Sequence, residues 1–118
     1  MCLDERTLKT FKDNDNVRIG YKVFDKSHNI YYNPFKGCYI KHTMGSWYKN
    51  KKRVKLTVGY PLHHITYESG FHFYSSIPRV YYQYEVVVEC ICENITATGQ
   101  QNDEDAFVAQ SYRLMREV

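Results

Sequence analysis

Five cationic residues stand close together in the middle of the chain, directly after two aromatic residues. They are Lys49, Lys51, Lys52, Arg53 and Lys55, preceded by Trp47 and Tyr48. Lysine and arginine side chains neutralise phosphates and release counterions, while flat rings stack on bases or anchor a desolvated protein contact. We therefore predict that these residues form a binding surface for a negatively charged partner, with the cations supplying charge and the rings supplying contact area.

The basic run belongs to a wider zone that has no acidic residue. Between Lys26 and Tyr67 the chain has eight lysine or arginine residues and no aspartate or glutamate. The zone 26–67 is therefore +8, and the remainder, with 8 cations and 13 acids, is −5, which sums to the formal net charge of +3. Such an uneven distribution of charge indicates what kind of partner the protein binds and carries no information about the fold. Candidate partners are a protein with an acidic surface, nucleic acid or a nucleotide.

Histidine and cysteine are the other residue types with potential for chemistry. His63, His64 and His72, with Cys90 and Cys92, include the ligand types that zinc prefers. Their spacing lacks the two paired elements of a structural zinc site, and the two cysteines alternate onto one face of a predicted strand. We therefore predict buried free thiols, no metal site and no cofactor. A catalytic Cys/His pair stays open, because such partners need not be neighbours in sequence.

Length and hydropathy limit the classes of protein to which the chain can belong. The chain of 118 residues has the size of one domain, and we predict a single domain over residues 1–118. No apolar run approaches the roughly 18–20 residues that cross a bilayer, and the first residues lack the apolar core of a signal peptide. We therefore expect a cytoplasmic protein without membrane contact, whose cysteines remain reduced.

Alternation of apolar and polar residues predicts five strands. They cover Val17–Phe24, Arg53–Tyr60, Gly70–Tyr74, Glu85–Glu93 and Ala106–Met115. The last two form a hairpin around the acidic segment Thr98–Asp105. In the second strand Arg53 and Lys55 face the open side of a sheet. Residues 25–52 give short strands or a loop packed by aromatic side chains.

Two short helices complete the predicted architecture. One covers residues 3–12, and the other covers Ile77–Tyr82 with Ser75-Ser76 as its cap. The predicted fold class is therefore α+β, with a twisted, mostly antiparallel sheet of five or six strands and one or two short helices.

Three segments of the chain occur in an order that is also found in a group of other proteins. Gly20–Phe24, Gly70–Phe73 and Tyr84–Val88 are followed by a glycine turn at Gly99 and a final strand. In these segments the chain resembles a loose set of small, uncharacterised bacteriophage and prophage proteins with a YKV strand, a GFH strand and a C-terminal β-hairpin. The resemblance leaves out the basic zone. It implies a viral or mobile-element origin and an α+β fold, and it supplies no activity.

The segment Gly70–Ser76 is also similar to the strand and serine-bearing helix start that line the nicotinamide pocket of ADP-ribosyltransferases. This resemblance implies that Tyr74 or Ser75 flanks the nicotinamide and that a glutamate on a later strand is catalytic. The opening strand departs from that family, because Tyr21 and the lysine after it stand where the family has His or Arg and a small residue. The glutamates within Glu85–Glu93 alternate along a strand surface.

The leading expectation is a non-enzymatic, phage-encoded binding protein that inhibits a host defence component, as anti-CRISPR proteins do, through its basic aromatic surface. Its partner is a host protein with an acidic surface, or nucleic acid or a nucleotide. The alternatives are a divergent ADP-ribosyltransferase-like enzyme and a nucleic-acid-binding accessory protein. A virion protein, which would be a stable homo-oligomer, is a third reading, and the oligomeric state stays open.

Overall fold

The computed structural model describes residues 3, 4, 6–32, 41–58, 65–80 and 82–118, and its regular elements are all β-strands. In chain order they are β1 (Lys9–Thr10), β2 (Val17–Ser27), β3 (Ile30–Tyr32), β4 (Lys41–His42), β5 (Trp47–Lys49), β6 (Lys55–Val58), β7 (Ile65–Glu68), β8 (Phe71–Tyr74), β9 (Glu85–Gln101) and β10 (Glu104–Glu117). Within that part of the chain there is no helix that could cross a membrane.

The predicted α+β class is wrong, because the described residues of both predicted helices adopt other conformations. In the segment 3–12, residues 6 and 7 form a turn and β1 follows. The backbone N–H groups of Asp4 and Phe11 donate to the carbonyls of Gln100 and Thr96, so pairing with β9 replaces helical hydrogen bonds. Residues 77–80 are irregular. Helices this short are marginal without strong packing, and neighbouring strands offer the better partners.

Four of the five predicted strands are confirmed as β2, β8, β9 and β10. The strand predicted over Arg53–Tyr60 is present as β6, which begins at Lys55, and Tyr60 lies outside the described residues. The hairpin turn is shorter than predicted, because β9 continues to Gln101. Asn102 and Asp103 form the turn with φ of 53° and 62°, as a type I′ turn requires.

Four strands pair in a closed ring. β2 pairs with β9, β9 with β10 and β10 with β8, all antiparallel, and β8 returns to β2 through the pair Tyr21 and Tyr74. At the edges β1 joins β9, β3 joins β2, β4 joins β3 and β5 joins β10. Over the described ranges the sheet therefore has eight strands where five or six were predicted, and β6 and β7 form a separate hairpin.

The inside of the ring holds the larger hydrophobic core. Its fully buried side chains are Phe24, Phe73, Val88, Cys90, Cys92, Phe107, Tyr112 and Leu114. The prediction that Cys90 and Cys92 share one face of this strand is thereby confirmed. Gly20 lets β2 approach this core, because a Cβ atom there would lie 2.6 Å from the ring of Phe107.

A second, smaller core lies on the outside of the β9–β10 hairpin. Leu3, Tyr67, Ala97, Ala106 and Val108 are buried there together. The backbone N–H of Leu3 donates to the hydroxyl of Tyr67 at 3.3 Å. This core fixes the residues before β1 and the β6–β7 hairpin to the outer side of the closed sheet.

Candidate functional site

The outer side of the closed sheet carries a row of side chains that crosses four strands. The register pairs Ile19 with Ile91, Ile91 with Arg113, and Arg113 with Trp47. Directly opposite residues of antiparallel strands project from the same face. Ile19 is 44% exposed and Trp47 is 43% exposed. The row therefore presents an apolar strip, interrupted by one guanidinium group, to solvent.

A parallel row lies beside it. Its register pairs Val17 with Glu93, Glu93 with Ser111, and Ser111 with Lys49. Val17 is exposed, and so is Lys49, which lies on the same face as Trp47. Ser111 separates Lys49 from Glu93, the acid of this row. We name the two rows together the binding face, which consists of Val17, Ile19, Trp47, Lys49, Ile91, Glu93, Ser111 and Arg113.

Arg113 occupies the middle of the binding face, between Ile91 and Trp47. Its side chain is half-buried, and its Nε atom is buried without a hydrogen-bond partner among the described residues. A buried N–H donor without a hydrogen-bond partner is unfavourable. A carboxylate brought to this face by another molecule would offset that cost.

The predicted aromatic pair is divided between the two sides of the sheet. Trp47 projects outward, whereas the ring of Tyr48 stacks on Tyr112 at a centroid distance of 5.3 Å and lies 4.4 Å from His42. The hydroxyl of Tyr48 accepts a hydrogen bond from the backbone N–H of Thr43 at 2.9 Å. Tyr48 therefore anchors β5 to the core, and Trp47 is the ring that a partner would meet.

The predicted cations also divide into two groups. Lys51 and Lys52 are exposed in the loop that follows β5, and neither forms an ion pair within the part of the chain that the structure describes. Arg53 instead binds Asp13 at 2.6 Å and Glu68 at 3.1 Å. The hydrogen bond from Arg53 lowers the pKa of Asp13. The structure therefore leaves Lys51 and Lys52 available to a partner, together with Lys49.

Lys55 differs from these lysines in its surroundings. It lies directly opposite Glu68 in the β6–β7 hairpin, so the two side chains share a face. Arg53 and Lys55 thus both stand beside acids of the same chain, and the proposed charge of the surface comes from the other three lysines.

Hydrogen bonds hold both ends of the loop that carries Lys51 and Lys52. At the first end, the side-chain amide of Asn50 donates to the carbonyl of Ser69 and to the side chain of Gln110, each at 2.9 Å. Gln110 is buried and donates to Thr96. At the second end, the backbone N–H of Val54 donates to the hydroxyl of Ser69 at 3.0 Å. The lysines therefore project from an anchored loop.

Replacing Asn50 by alanine is expected to lower the free energy of unfolding by about 1–2 kcal/mol, because two side-chain hydrogen bonds are lost and buried Gln110 keeps fewer partners. Chemical denaturation measures this change, and amide hydrogen exchange should accelerate across residues 50–54. Asn16→Ala, at an exposed asparagine, is the control and should change stability by less than about 0.5 kcal/mol. Equal stability of the two variants would show that the anchor is not formed.

The predicted buried thiols are confirmed for Cys90 and Cys92, which are both fully buried and free. Burial raises the pKa of Cys90 to about 12 and raises that of Cys92 further, so neither is an activated nucleophile. Among the described residues no three His, Cys, Asp or Glu side chains gather as a metal site would require. His63 and His64 lie outside the described residues.

The transferase resemblance implies a catalytic glutamate on a later strand, and β9 carries the candidate glutamates. Glu89, one of these candidates, is bound by other residues of the chain. Glu89 lies on the outer face, where Arg116 binds it at 3.1 Å and Tyr21 donates to it at 3.2 Å. The hydrogen bond from Arg116 lowers the pKa of Glu89. Ser75 borders a groove of about 560 Å³ whose acidic residue is Asp105. This groove therefore places Ser75 of the predicted pocket segment near an aspartate and not near a glutamate.

The described residues define an all-β protein whose closed sheet carries an exposed face that is both apolar and cationic. No family model matches the sequence, and neither a curated protein nor a solved structure matches it. The function therefore has to be inferred from the chemistry of the binding face.

Proposed function

We propose that the protein is a non-enzymatic binding protein that covers an acidic surface of another protein with its binding face. The observation that carries this proposal is the exposure of Trp47 and Ile19 on the same face as Lys49, which has no ion pair with any residue that the structure describes. Aromatic and arginine side chains in the centre of a contact, with charged groups around them, are typical of protein interfaces. Nucleic acid would favour cations spread along a track, so the central apolar strip favours a protein partner.

The mechanism that we propose is occlusion. The basic zone attracts the partner over a distance, which increases the association rate and makes it sensitive to salt. Trp47 and Arg113 then make the desolvated contact. In the setting that the phage resemblance implies, the partner is a component of a host defence system in the cytoplasm, and the protein inhibits it by covering the acidic surface.

Changing Lys49, Lys51 and Lys52 together to glutamate is expected to weaken binding of the partner at least about tenfold, because attraction becomes repulsion across the contact. The substitution changes the net charge from +3 by 6 units to −3. The tagged protein is used to capture partners from nuclease-treated host lysate at low and high salt, and the dissociation constant of the captured partner is then measured. Arg53 is left in place because it binds Asp13 and Glu68.

The matched control changes Lys9, Lys12 and Arg79 to glutamate, which alters the net charge equally at exposed positions that are not residues of the binding face. This control should retain binding, and both variants should unfold at the temperature of the unaltered protein. Equal loss of binding in both variants would contradict a specific face. Loss of the captured material after nuclease treatment would identify nucleic acid as the partner and contradict an acidic protein.

A further inference from the structure

Within the part of the chain that the structure describes, the strand that carries Trp47 and Lys49 has one edge without a paired strand. Among the described residues β5 pairs with β10 and with no other strand. The backbone N–H of Asn50 donates to the carbonyl of Gln110 at 2.8 Å, so these two residues are a hydrogen-bonded pair. Such pairs alternate along antiparallel strands. Tyr48 therefore directs its backbone groups towards β10, whereas Trp47 and Lys49 direct theirs away from the sheet.

We infer that this edge of β5 accepts an extended segment of the acidic partner as an additional strand. The inference rests on the proposed function for the acidity of the partner, and it adds the way in which the partner is held. Backbone hydrogen bonds to the open edge supply affinity, and side chains at alternate positions supply specificity. An apolar residue opposite Trp47 and an acidic residue opposite Lys49 match the binding face.

Charge favours an acidic segment over a second copy of this chain. Lys49, Lys51 and Lys52 stand beside the open edge, and none of them has an ion-pair partner within the described ranges. Pairing two copies through β5 would bring both sets of lysines together. Lysine on an edge strand is a known device against self-association, and it leaves the edge open to a strand of opposite charge.

Proline and glutamine substitutions at Lys49 separate the backbone contribution from the charge contribution. Both remove the charge, but only proline removes the outward N–H, and proline is tolerated in an edge strand where the N–H faces away from the sheet. The probes are two labelled peptides, Val-Thr-Glu-Thr-Glu and its reverse sequence, which cover parallel and antiparallel pairing. Lys49→Gln is expected to weaken the better peptide about threefold, and Lys49→Pro is expected to weaken it at least about tenfold more.

Amide hydrogen exchange of the unaltered protein provides a measurement that does not depend on the folding of the variants. The amides of Trp47 and Lys49 should exchange rapidly in the free protein and slowly with the peptide bound. Slow exchange in the free protein at every concentration would overturn the inference, because the edge would already be covered. Slow exchange that appears only at high protein concentration would assign the edge to a second copy and would also overturn it.

The two proposals fail in different ways. If the lysine-to-glutamate triple variant loses the partner while Lys49→Pro and Lys49→Gln bind the peptide equally, strand addition is wrong and the acidic partner remains. If the triple variant keeps the captured partner, the proposed function is wrong. Stronger binding of the peptide by Lys49→Gln than by Lys49→Pro, together with protection of both amides, supports strand addition.

Discussion

Replacing Trp47 by alanine is expected to weaken binding of the partner about 30-fold or more while the fold is retained. Trp47 is 43% exposed, projects from a three-residue strand and stands next to Arg113 on the binding face. Tryptophan at the centre of an interface commonly contributes about 2 kcal/mol or more, which corresponds to about 30-fold in the dissociation constant. The fold should be retained, because Tyr48 and not Trp47 packs against the core.

Tyr82→Ala is the matched control, because Tyr82 is an aromatic residue that is 60% exposed and stacks on Tyr84 away from β5. Binding by this variant should equal that of the unaltered protein. Thermal unfolding of all three proteins establishes that the fold is retained. If Trp47→Ala and Tyr82→Ala bind the partner equally well, the binding face is not where the partner docks.

Replacing Lys22 by methionine is expected to stabilise the protein at neutral pH by about 2 kcal/mol. Lys22 is 8% exposed inside the closed sheet, where its Nζ donates to the carbonyl of His72 at 3.1 Å and lies 5.2 Å from the centre of the Phe73 ring. Burial lowers the pKa of Lys22 from 10.5 to about 8. This lowering of the pKa corresponds to about 3 kcal/mol, and loss of the hydrogen bond to His72 offsets about 1 kcal/mol of it.

The dependence of this gain on pH follows from the direction of the pKa shift. Below pH 8 Lys22 is charged in the folded and the unfolded protein, so the full cost of burying the charge is present. Between about pH 8 and pH 10.5 the unfolded chain binds more protons than the folded protein, so the stability contributed by Lys22 rises with pH. The advantage of Lys22→Met should therefore shrink across this window and reverse above it, where only the lost hydrogen bond remains.

Chemical denaturation of both proteins between pH 6.5 and pH 10.5 measures the difference in free energy of unfolding. The buried thiols ionise more readily in the unfolded chain as pH rises, which opposes Lys22. They are present in both proteins, so their contribution cancels in the difference except for the part that comes from their interaction with the charge of Lys22. Lys12→Met, at an exposed lysine, serves as the control and should give a difference that is small at every pH. A difference for Lys22→Met that does not vary with pH would contradict a buried charged lysine.

The strands of the ring were predictable from sequence because a closed sheet has an apolar inside and a more polar outside. This arrangement imposes a period of two on β2 and β9. The residues of segment 3–12 could not themselves show that the predicted helix is wrong. The segment pairs instead with Thr96 and Gln100, which lie far along the chain. The periodicity of a short segment carries no information about a hydrogen-bond partner so distant in sequence.

The binding face was predictable only in part. Trp47 and Lys49 are neighbours in a conspicuous run, but Ile19, Ile91 and Arg113 reach the same place through the register of three other strands. One signal was present in the sequence, since Ile91 is apolar among the alternating glutamates of β9. No such signal indicated that Arg53 is neutralised by Asp13, which lies 40 positions earlier in the chain.

The pairing order of the strands has a consequence for synthesis on the ribosome. The main ladders of β2 and β1 are with β9, and those of β8 and β5 are with β10. Apart from the small β2–β3–β4 and β6–β7 pairings, these strands emerge before the two strands that complete them. At about 5–20 residues per second, the final hairpin takes a few seconds to appear. For that interval the nascent chain carries the rings of Phe24 and Phe73 uncovered, which makes it a natural client for ribosome-associated chaperones.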